Sequence, residues 1–157
     1  MPTIAAEIEI DAPQAPLFAL AQDYDLRLRW DPFLKELVFR DGAREAAPGV
    51  RVWARAHNGM SMEVEYITVN APDQVAMKMV AGPWLFAQFS GAWLFRQVTP
   101  ARTRVIFRYN FTTRPALLAR AVEPVVARVL RRDMRLRLQG LKRGAETTDL
   151  LDRARPK

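Results

Sequence analysis

The side chains that most often carry out catalysis are scarce in this sequence of 157 residues. It has one histidine, His57, two serines, Ser61 and Ser90, and no cysteine. A serine–histidine–aspartate triad or a multi-histidine metal centre needs more of these residues than the chain supplies. The lack of cysteine also excludes disulfides and thiolate chemistry. We therefore expect no metal site and no cofactor.

Four polar side chains remain as candidates for chemistry, namely Arg55, His57, Tyr66 and Tyr109. Arg55 and His57 could bind a carboxylate, phosphate or phenolate head group. In an enzyme, Arg55 could stabilise an enolate while His57, Tyr66 or Tyr109 acts as acid or base. The sequence contains no convincing catalytic pair, so the catalytic residues, if there are any, stay undetermined.

Ordinary structural roles stay open for the same residues. Arg55 could extend to solvent or pair with a carboxylate such as Glu36 or Asp133, and His57 could be a plain surface residue beside a turn. Asp133 falls on the apolar side of a predicted helix, where Arg137, four residues later, could pair with it. A pair of this kind is more typical of a structural ion pair than of a catalytic site.

Charge is the unusual feature of the composition. Half of the residues are apolar and about a quarter are charged, as in a folded domain. The net charge is +7, and Arg supplies 20 of the 24 basic residues, which suits nucleic acid or an anionic membrane. The N-terminus shows no secretory signal, and the uncharged run 79–95 is too short and too interrupted for a membrane helix. We expect a cytoplasmic protein.

Periodicity gives the order of elements. Alternation predicts a strand over 3–10, and Asp11-Ala12-Pro13-Gln14 predicts the start of a short helix that reaches about residue 22. A second short helix over 23–30 ends at Asp31-Pro32. Strands follow over 35–40, 50–57, 60–69, 75–81, 84–98 and 104–112, and a helical pattern runs from 115 to about 143. This order predicts one antiparallel α+β domain over 1–146 and a polar, frayed tail over 147–157.

Hairpin register predicts which side chains face inward. A two-residue turn at Asn58-Gly59 would pair Arg55 with Met62 and Trp53 with Val64. A turn at 70–73 would pair Tyr66 with Met77. The predicted inner face then consists of Trp53, Met60, Met62, Val64, Tyr66, Met77, Met79, Phe89, Trp93, Phe95, Val105, Phe107, Tyr109 and Phe111.

The long helix shows two faces when its residues are placed 100° apart. The predicted apolar face holds Leu118, Ala121, Val122, Val125, Val126 and Val129. The opposite face holds Arg120, Arg128, Arg131, Arg135 and Lys142, which is typical of a solvated surface. No aromatic residues lie between these arginines, so there is no strong signal for nucleic acid.

These motifs, in this order, resemble the START-like (SRPBCC) superfamily of polyketide cyclases/dehydrases and lipid-transport proteins. The segment 8–13 followed by Leu17-Phe18 is similar to its first strand and helix, and Trp30-Asp31-Pro32 to its Trp-x-Pro corner. Residues 91–95 with 103–105 resemble its last hairpin, and 135–146 the end of its long helix. The resemblance implies a helix-grip fold: a curved antiparallel sheet of about seven strands around a long C-terminal helix, with two short helices after the first strand.

The resemblance also implies a cavity between sheet and helix that takes hydrophobic molecules. Its mouth would be formed by residues 57–60 and 82–84. The ligand-binding residues would be Trp53, Arg55, His57, Met60, Met62, Tyr66, Met77, Trp84, Phe89, Trp93, Phe107, Tyr109, Val122 and Val126. Packing in an ordinary core is the alternative for each apolar member.

Three functions follow from these observations. The first is a carrier or binding protein for a lipid, an isoprenoid or a polyketide-like molecule. The second is a polyketide cyclase/dehydrase-type enzyme that uses the same cavity. The third is an adaptor whose basic helix contacts anionic lipid or nucleic acid, so that transient contact with an anionic membrane stays open. The sequence does not indicate the oligomeric state.

Overall fold

Seven strands form one antiparallel sheet in the computed structural model, which describes residues 2–154. The strands are β1 (Thr3–Ile10), β2 (Leu34–Phe39), β3 (Arg51–Ala56), β4 (Ser61–Asn70), β5 (Gln74–Ala81), β6 (Phe86–Thr99) and β7 (Arg102–Thr113). Their order across the sheet is β1-β7-β6-β5-β4-β3-β2. Strands β2 to β7 therefore form a continuous series of hairpins, and β1 pairs with the last of them.

Helices connect the two edges of this sheet. The short helices α1 (Gln14–Gln22) and α2 (Tyr24–Trp30) lead from β1 at one edge to β2 at the other. The side chain of Asp23 caps α2 by accepting a hydrogen bond from the backbone of Asp25. A short 3₁₀ turn, Ala116–Leu118, precedes the long helix α3 (Ala119–Thr147), which packs on β1, β7 and α2. The predicted helix-grip fold is confirmed.

Two glycines allow α3 to lie unusually close to the corner after α2. A Cβ atom at Gly140 would lie 2.2 Å from the carbonyl oxygen of Trp30, and one at Gly144 would lie 3.0 Å from the Cβ of Trp30. Around these glycines, Met134, Leu138, Leu141 and Ala145 are buried. This part of α3 therefore fixes the rotation of the whole helix against the sheet.

The predicted apolar face of α3 is wrong in its first half. Leu118, Val125 and Val129 are 55%, 64% and 53% exposed. The residues that turn inward there are Ala127, which is buried, and Val126 and Leu130, which are partly buried and pack on the core. Of the predicted apolar face, Val126 thus agrees with the structure. The reason that the inward face differs is the helical period: positions 127, 130 and 134 continue the face of the tightly packed second half. The predicted basic face is confirmed for Arg120, Arg128, Arg131 and Arg135, which are exposed, whereas Lys142 is half-buried and donates to the carbonyl oxygen of Glu9.

The predicted register between β3 and β4 is wrong by one residue. Ala54 pairs with Met62 and Val52 with Val64, so Trp53 and Arg55 point to the outer face. The turn explains the shift. The Gly59 amide donates to the Ala56 carbonyl oxygen at 3.0 Å, and Gly59 has a φ of 91°.

Among residues 2–154, the only non-glycine residue with positive φ is Asp41, so Asn58 lacks the conformation that a type I′ turn requires at both central positions. The loop therefore contains three residues, 57–59, with a glycine bulge. A shift of one residue moves every side chain of a strand to the opposite face.

The other predicted pairings agree with the structure. Tyr66 pairs with Met77 and Val64 with Met79. In the last hairpin, Trp93 pairs with Phe107, and the inner residues Phe95, Val105, Phe107 and Phe111 are each no more than 2% exposed. These strands carry large apolar residues at alternate positions, so only one register buries them all.

The segment expected to be a frayed tail begins inside the last turn of α3. Leu150–Arg153 forms the short helix α4, and Leu150 and Ala154 are buried. Residues 155–157 of the expected tail lie outside the described residues.

Candidate functional site

A cavity of about 150 Å³ lies between the sheet and α3. Strands β3 to β7, the α2–β2 segment and Leu130 of α3 contribute its walls. The lining is mostly apolar and includes methionines 60, 62, 77 and 79 and the aromatic side chains of Phe89, Trp93 and Phe107. Gly91 makes room for the neighbouring tyrosine, since a Cβ there would lie 3.1 Å from the ring of Tyr109.

The structure brings together eight of the predicted ligand-binding residues and leaves six outside the cavity lining. Those that line the cavity are Met60, Met62, Tyr66, Met77, Phe89, Trp93, Phe107 and Tyr109. Those that do not are Trp53, Arg55, His57, Trp84, Val122 and Val126. The register shift at β3 and the rotation of α3 account for five of the six.

The displaced polar candidates have ordinary surroundings. Arg55 lies on the outer face and pairs with Glu36 at 3.5 Å, with both side chains 43% exposed. His57 is exposed at the border of a separate shallow cleft that also includes Asp133. Trp53 lies under the guanidinium of Arg40, 5.7 Å from ring centre to Cζ.

The predicted mouth is present in part. Met60 from the first predicted loop and Pro83 from the second border the cavity, whereas Trp84 is 67% exposed. The second loop lies directly over the methionines, since a Cβ at Gly82 would lie 2.6 Å from the sulfur of Met79.

A buried charge cluster lies at the wall formed by α2 and α3. The Oδ2 atom of Asp31 accepts hydrogen bonds from Arg27 Nε at 3.0 Å and from Arg137 Nε at 3.1 Å, and it lies 3.0 Å from Arg137 Nη2 in the same ion pair. Its Oδ1 atom accepts from the backbone of Phe33 at 3.0 Å. Arg137 also donates to the Tyr109 hydroxyl at 2.8 Å. Both arginines line the cavity, and they are 5% and 7% exposed.

The charges in this cluster stabilise one another. Burial alone would raise the pKa of Asp31, but the charges of Arg137 and Arg27 outweigh it and lower that pKa. Burial raises the pKa of Tyr109, so its hydroxyl stays protonated at neutral pH. The expected pair between Asp133 and Arg137 is replaced, because Arg137 binds Asp31 instead.

A second polar group consists of two tyrosine hydroxyls. Tyr24 and Tyr66 both line the cavity, and their hydroxyl groups are hydrogen-bonded to each other. The Tyr66 hydroxyl also donates to Gln22 Oε1 at 3.4 Å. Burial raises the pKa of Tyr24, and it raises that of Tyr66 well above its usual value. Both side chains are therefore neutral hydrogen-bonding groups rather than bases.

The sequence interpretation missed Arg27, Asp31 and Tyr24 as parts of the site. The i, i+4 spacing of Arg27 and Asp31 on α2 was an available signal for their ion pair. Arg137 was noted only as the neighbour four residues after Asp133, so it was assigned to the wrong acid.

Neither a metal cluster nor a membrane span is found in the described part of the chain. Among residues 2–154, no three His, Asp or Glu side chains converge as metal ligands would. No helix there is both long and apolar enough to cross a bilayer.

Comparison with known proteins supports this architecture. Residues 1–146 match the family described as polyketide cyclase/dehydrase and lipid transport. No curated protein matches the chain in sequence.

Solved structures with the same fold include XoxI from Bacillus cereus, at 11% identity over 94% of this chain and 97% of that one, with a TM-score of 0.78. A START superfamily protein from Mycobacterium smegmatis has 11% identity over 92% and 97%, with a TM-score of 0.77. The ZhuI aromatase/cyclase from Streptomyces sp. R1128 has 16% identity over 93% and 96%, with a TM-score of 0.71.

Proposed function

Because the chain belongs to the polyketide cyclase/dehydrase and lipid-transport family, we propose that it is a carrier or binding protein for a hydrophobic small molecule, held in the cavity between the sheet and α3. The ligand class is a lipid, an isoprenoid or a polyketide-like molecule. The observation that carries the proposal is the apolar cavity itself, lined by methionine and aromatic side chains. A concave apolar site with a few polar groups is the usual form of a small-molecule site.

The size of the cavity limits what it encloses. An apolar cavity of about 150 Å³ can hold a molecule the size of benzene. The ligand would therefore place one ring or a short branched end inside, and a longer molecule would extend towards Met60 and Pro83 at the mouth. Methionine side chains adapt to different apolar shapes, which suits a wall that must fit a ligand.

The first experiment looks for the natural ligand. Purified protein is examined by native mass spectrometry, and an organic-solvent extract of the same sample is analysed for small molecules. We expect a bound apolar compound at a defined stoichiometry. If the protein carries no such compound and also binds neither 2-naphthamide, a neutral aromatic probe, nor its anionic counterpart 2-naphthoate, the proposal is rejected.

The second experiment places the probe in the cavity. Ala54 lines the cavity and its neighbour Arg55 points outward. Ala54→Trp should fill the space and weaken binding of 2-naphthamide at least tenfold in calorimetry. Arg55→Trp adds the same indole on the outer face and should leave the affinity within twofold. If Arg55→Trp weakened binding more than Ala54→Trp did, the probe would bind outside the cavity.

An enzymatic role for the same cavity is the second candidate. The observation in its favour is that the hydroxyls of Tyr24, Tyr66 and Tyr109 are all on residues lining the cavity. Neutral hydroxyls held in an apolar site could polarise the carbonyl groups of a folded polyketide chain.

The assay for this role is cyclisation of a linear poly-β-ketone, followed by mass spectrometry. Tyr66→Phe should slow turnover at least tenfold and leave 2-naphthamide affinity within threefold. Unchanged turnover would remove Tyr66 from the mechanism.

The basic face of α3 supports a third candidate, contact with an anionic membrane. Arg128, Arg131 and Arg135 are exposed, and so are the apolar side chains of Val125 and Val129. Helices with both features bind anionic lipid surfaces. Vesicles that contain phosphatidylserine should co-sediment the protein in low salt, and reversing the three arginines to Glu should abolish this. Binding that survives the reversal would reject the candidate.

A further inference from the structure

The charge cluster beside the cavity contains more positive than negative charge. Among residues 2–154, the ion pairs of this cluster join two guanidinium groups, those of Arg27 and Arg137, to the single carboxylate of Asp31. The side chain of Asp31 is fully buried, and those of the two arginines are 6% and 8% exposed. Guanidinium groups do not lose their proton in proteins, so the cluster keeps a net positive charge.

Other groups near the cluster compensate this charge only in part. Asp133 is near enough to Arg137 to affect its pKa, but the two side chains form no ion pair, and burial raises the pKa of Asp133. Aromatic faces contribute as well: Arg27 lies 4.7 Å from the ring centre of Trp30, and Arg137 lies 5.0 Å from that of Phe107. Contacts of this kind stabilise a cation but bring no negative charge.

Two buried hydrogen-bond donors on the short helices α1 and α2 have no partner within residues 2–154. The buried side-chain polar atoms without a partner in the described residues are Nε1 of Trp30 and Nε2 of Gln22, and both are donors. Gln22 ends α1 and Trp30 ends α2, directly before Asp31, and neither residue is part of the cavity lining. Asp31 is the carboxylate that both guanidinium groups share: its Oδ2 atom accepts from Nε of Arg27 and from Nε of Arg137, and its Oδ1 atom accepts from the backbone of Phe33.

We propose that the ligand of the cavity carries an anionic oxygen, a carboxylate or an enolate-like oxygen, that is bound by Arg27 and Arg137. The inference rests on the proposed function, since it names the chemistry of the ligand in the same cavity. Asp31 neutralises only one of the two guanidinium charges, and an anion in the cavity would neutralise the other. Its apolar part would lie against Trp93 and Phe107, whose rings flank the same arginines.

The experiment compares two probes of nearly the same shape, 2-naphthoate and 2-naphthamide, by calorimetry at pH 7. An uncharged apolar cavity would favour the amide, because an unpaired charge is costly to bury. We expect the opposite order, with 2-naphthoate bound at least tenfold more tightly. Equal or tighter binding of 2-naphthamide would overturn this inference and leave the proposed function intact. Failure of both probes to bind would overturn both.

Variants then assign the preference to the cluster. Arg27→Gln leaves the Asp31–Arg137 pair in place, and it should weaken 2-naphthoate at least tenfold and change 2-naphthamide less than threefold. Arg27→Lys keeps the charge and should restore part of the preference. Arg55→Gln, on the outer face, is the matched control and should change neither affinity. The wild-type comparison needs no variant, so it decides the question even if Arg27→Gln fails to fold.

Discussion

Replacing Asp31 by asparagine should cause one of the largest losses of stability available from a single isosteric change in this protein. The substitution keeps the shape of the side chain and removes its charge. Two buried guanidinium groups, Arg27 and Arg137, would then face an amide instead of a carboxylate. The amide can still accept from the backbone of Phe33, but its NH₂ group would then point at the N–H donors that now bind Oδ2.

The magnitude follows from the cost of leaving a buried charge without its partner. Removing one member of a buried ion pair costs about 3–5 kcal/mol. With a urea dependence of about 2 kcal/mol per molar, the unfolding midpoint should fall by about 1.5–2.5 M. Since a domain has about 5–15 kcal/mol of total stability, the variant should still fold in the absence of denaturant if the wild type is in the upper part of that range.

The assay is equilibrium unfolding in urea, followed by tryptophan fluorescence and by circular dichroism. Asp133→Asn is the matched control, because that residue is partly exposed and forms no ion pair in the described structure. It should change the free energy of unfolding by less than about 1 kcal/mol, as surface substitutions usually do. A loss below 1 kcal/mol for Asp31→Asn would show that the cluster is solvated, and the reasoning about its excess charge would be refuted.

Three further predictions test the packing, the register and the electrostatics. Gly140→Ala should destabilise the protein by more than 1 kcal/mol despite the better helix propensity of alanine, because its Cβ would lie 2.2 Å from the carbonyl oxygen of Trp30. Gln139→Ala is the control, and equal melting temperatures for the two variants would contradict the close approach of α3 to Trp30. Arg55→Ala should lower stability by less than about 1 kcal/mol, as expected for an exposed ion pair; a larger loss in urea unfolding would place this side chain inside. The lowered pKa of Asp31 stabilises the fold above the carboxyl pKa of the unfolded chain, about 4, and this contribution is lost as the pH falls through the folded-state pKa. The difference in unfolding free energy between wild type and Asp31→Asn should therefore narrow from pH 5 to pH 3. A constant difference would contradict a lowered pKa for Asp31.

The strands with large alternating side chains could be predicted from the sequence, since one register buries all their apolar residues. The inner faces of β6 and β7 are the example: Trp93, Phe95, Phe107 and Phe111 are all buried as predicted. Strand β3 was predicted from the assumed turn instead. One of its faces, with Val52, Ala54 and Ala56, is wholly apolar, and the other carries Trp53 between two arginines. The apolar face is the one that lines the cavity, but the two-residue turn assigned the inner position to Trp53.

The turn that decides β3 depends on one backbone angle. Asn58-Gly59 is compatible with a two-residue turn and with a three-residue turn that ends in a glycine bulge. Only the second occurs here, with Gly59 at a φ of 91°. The difference of one residue moved two of the four candidate polar residues, Arg55 and His57, away from the site.

The buried cluster was beyond local patterns for a different reason. Arg27 and Asp31 are four residues apart, but Arg137 is more than 100 residues away and reaches them only because Gly140 and Gly144 let α3 lie against the α2 corner. That contact determines which side of α3 faces the sheet. A helical wheel of its valine-rich first half has no information about it.

The most direct test of the account follows the methyl groups of methionine by nuclear magnetic resonance. Met62, Met77 and Met79 line the cavity and Met60 borders its mouth, whereas Met134 is fully buried in α3 outside the lining. Titration of ¹³C-methyl-methionine protein with 2-naphthoate should shift the signals of Met62, Met77 and Met79 and give contacts from their methyl groups to the naphthalene protons, while the Met134 signal stays in place. Saturable binding that leaves these three signals unchanged would contradict a ligand site between the sheet and α3.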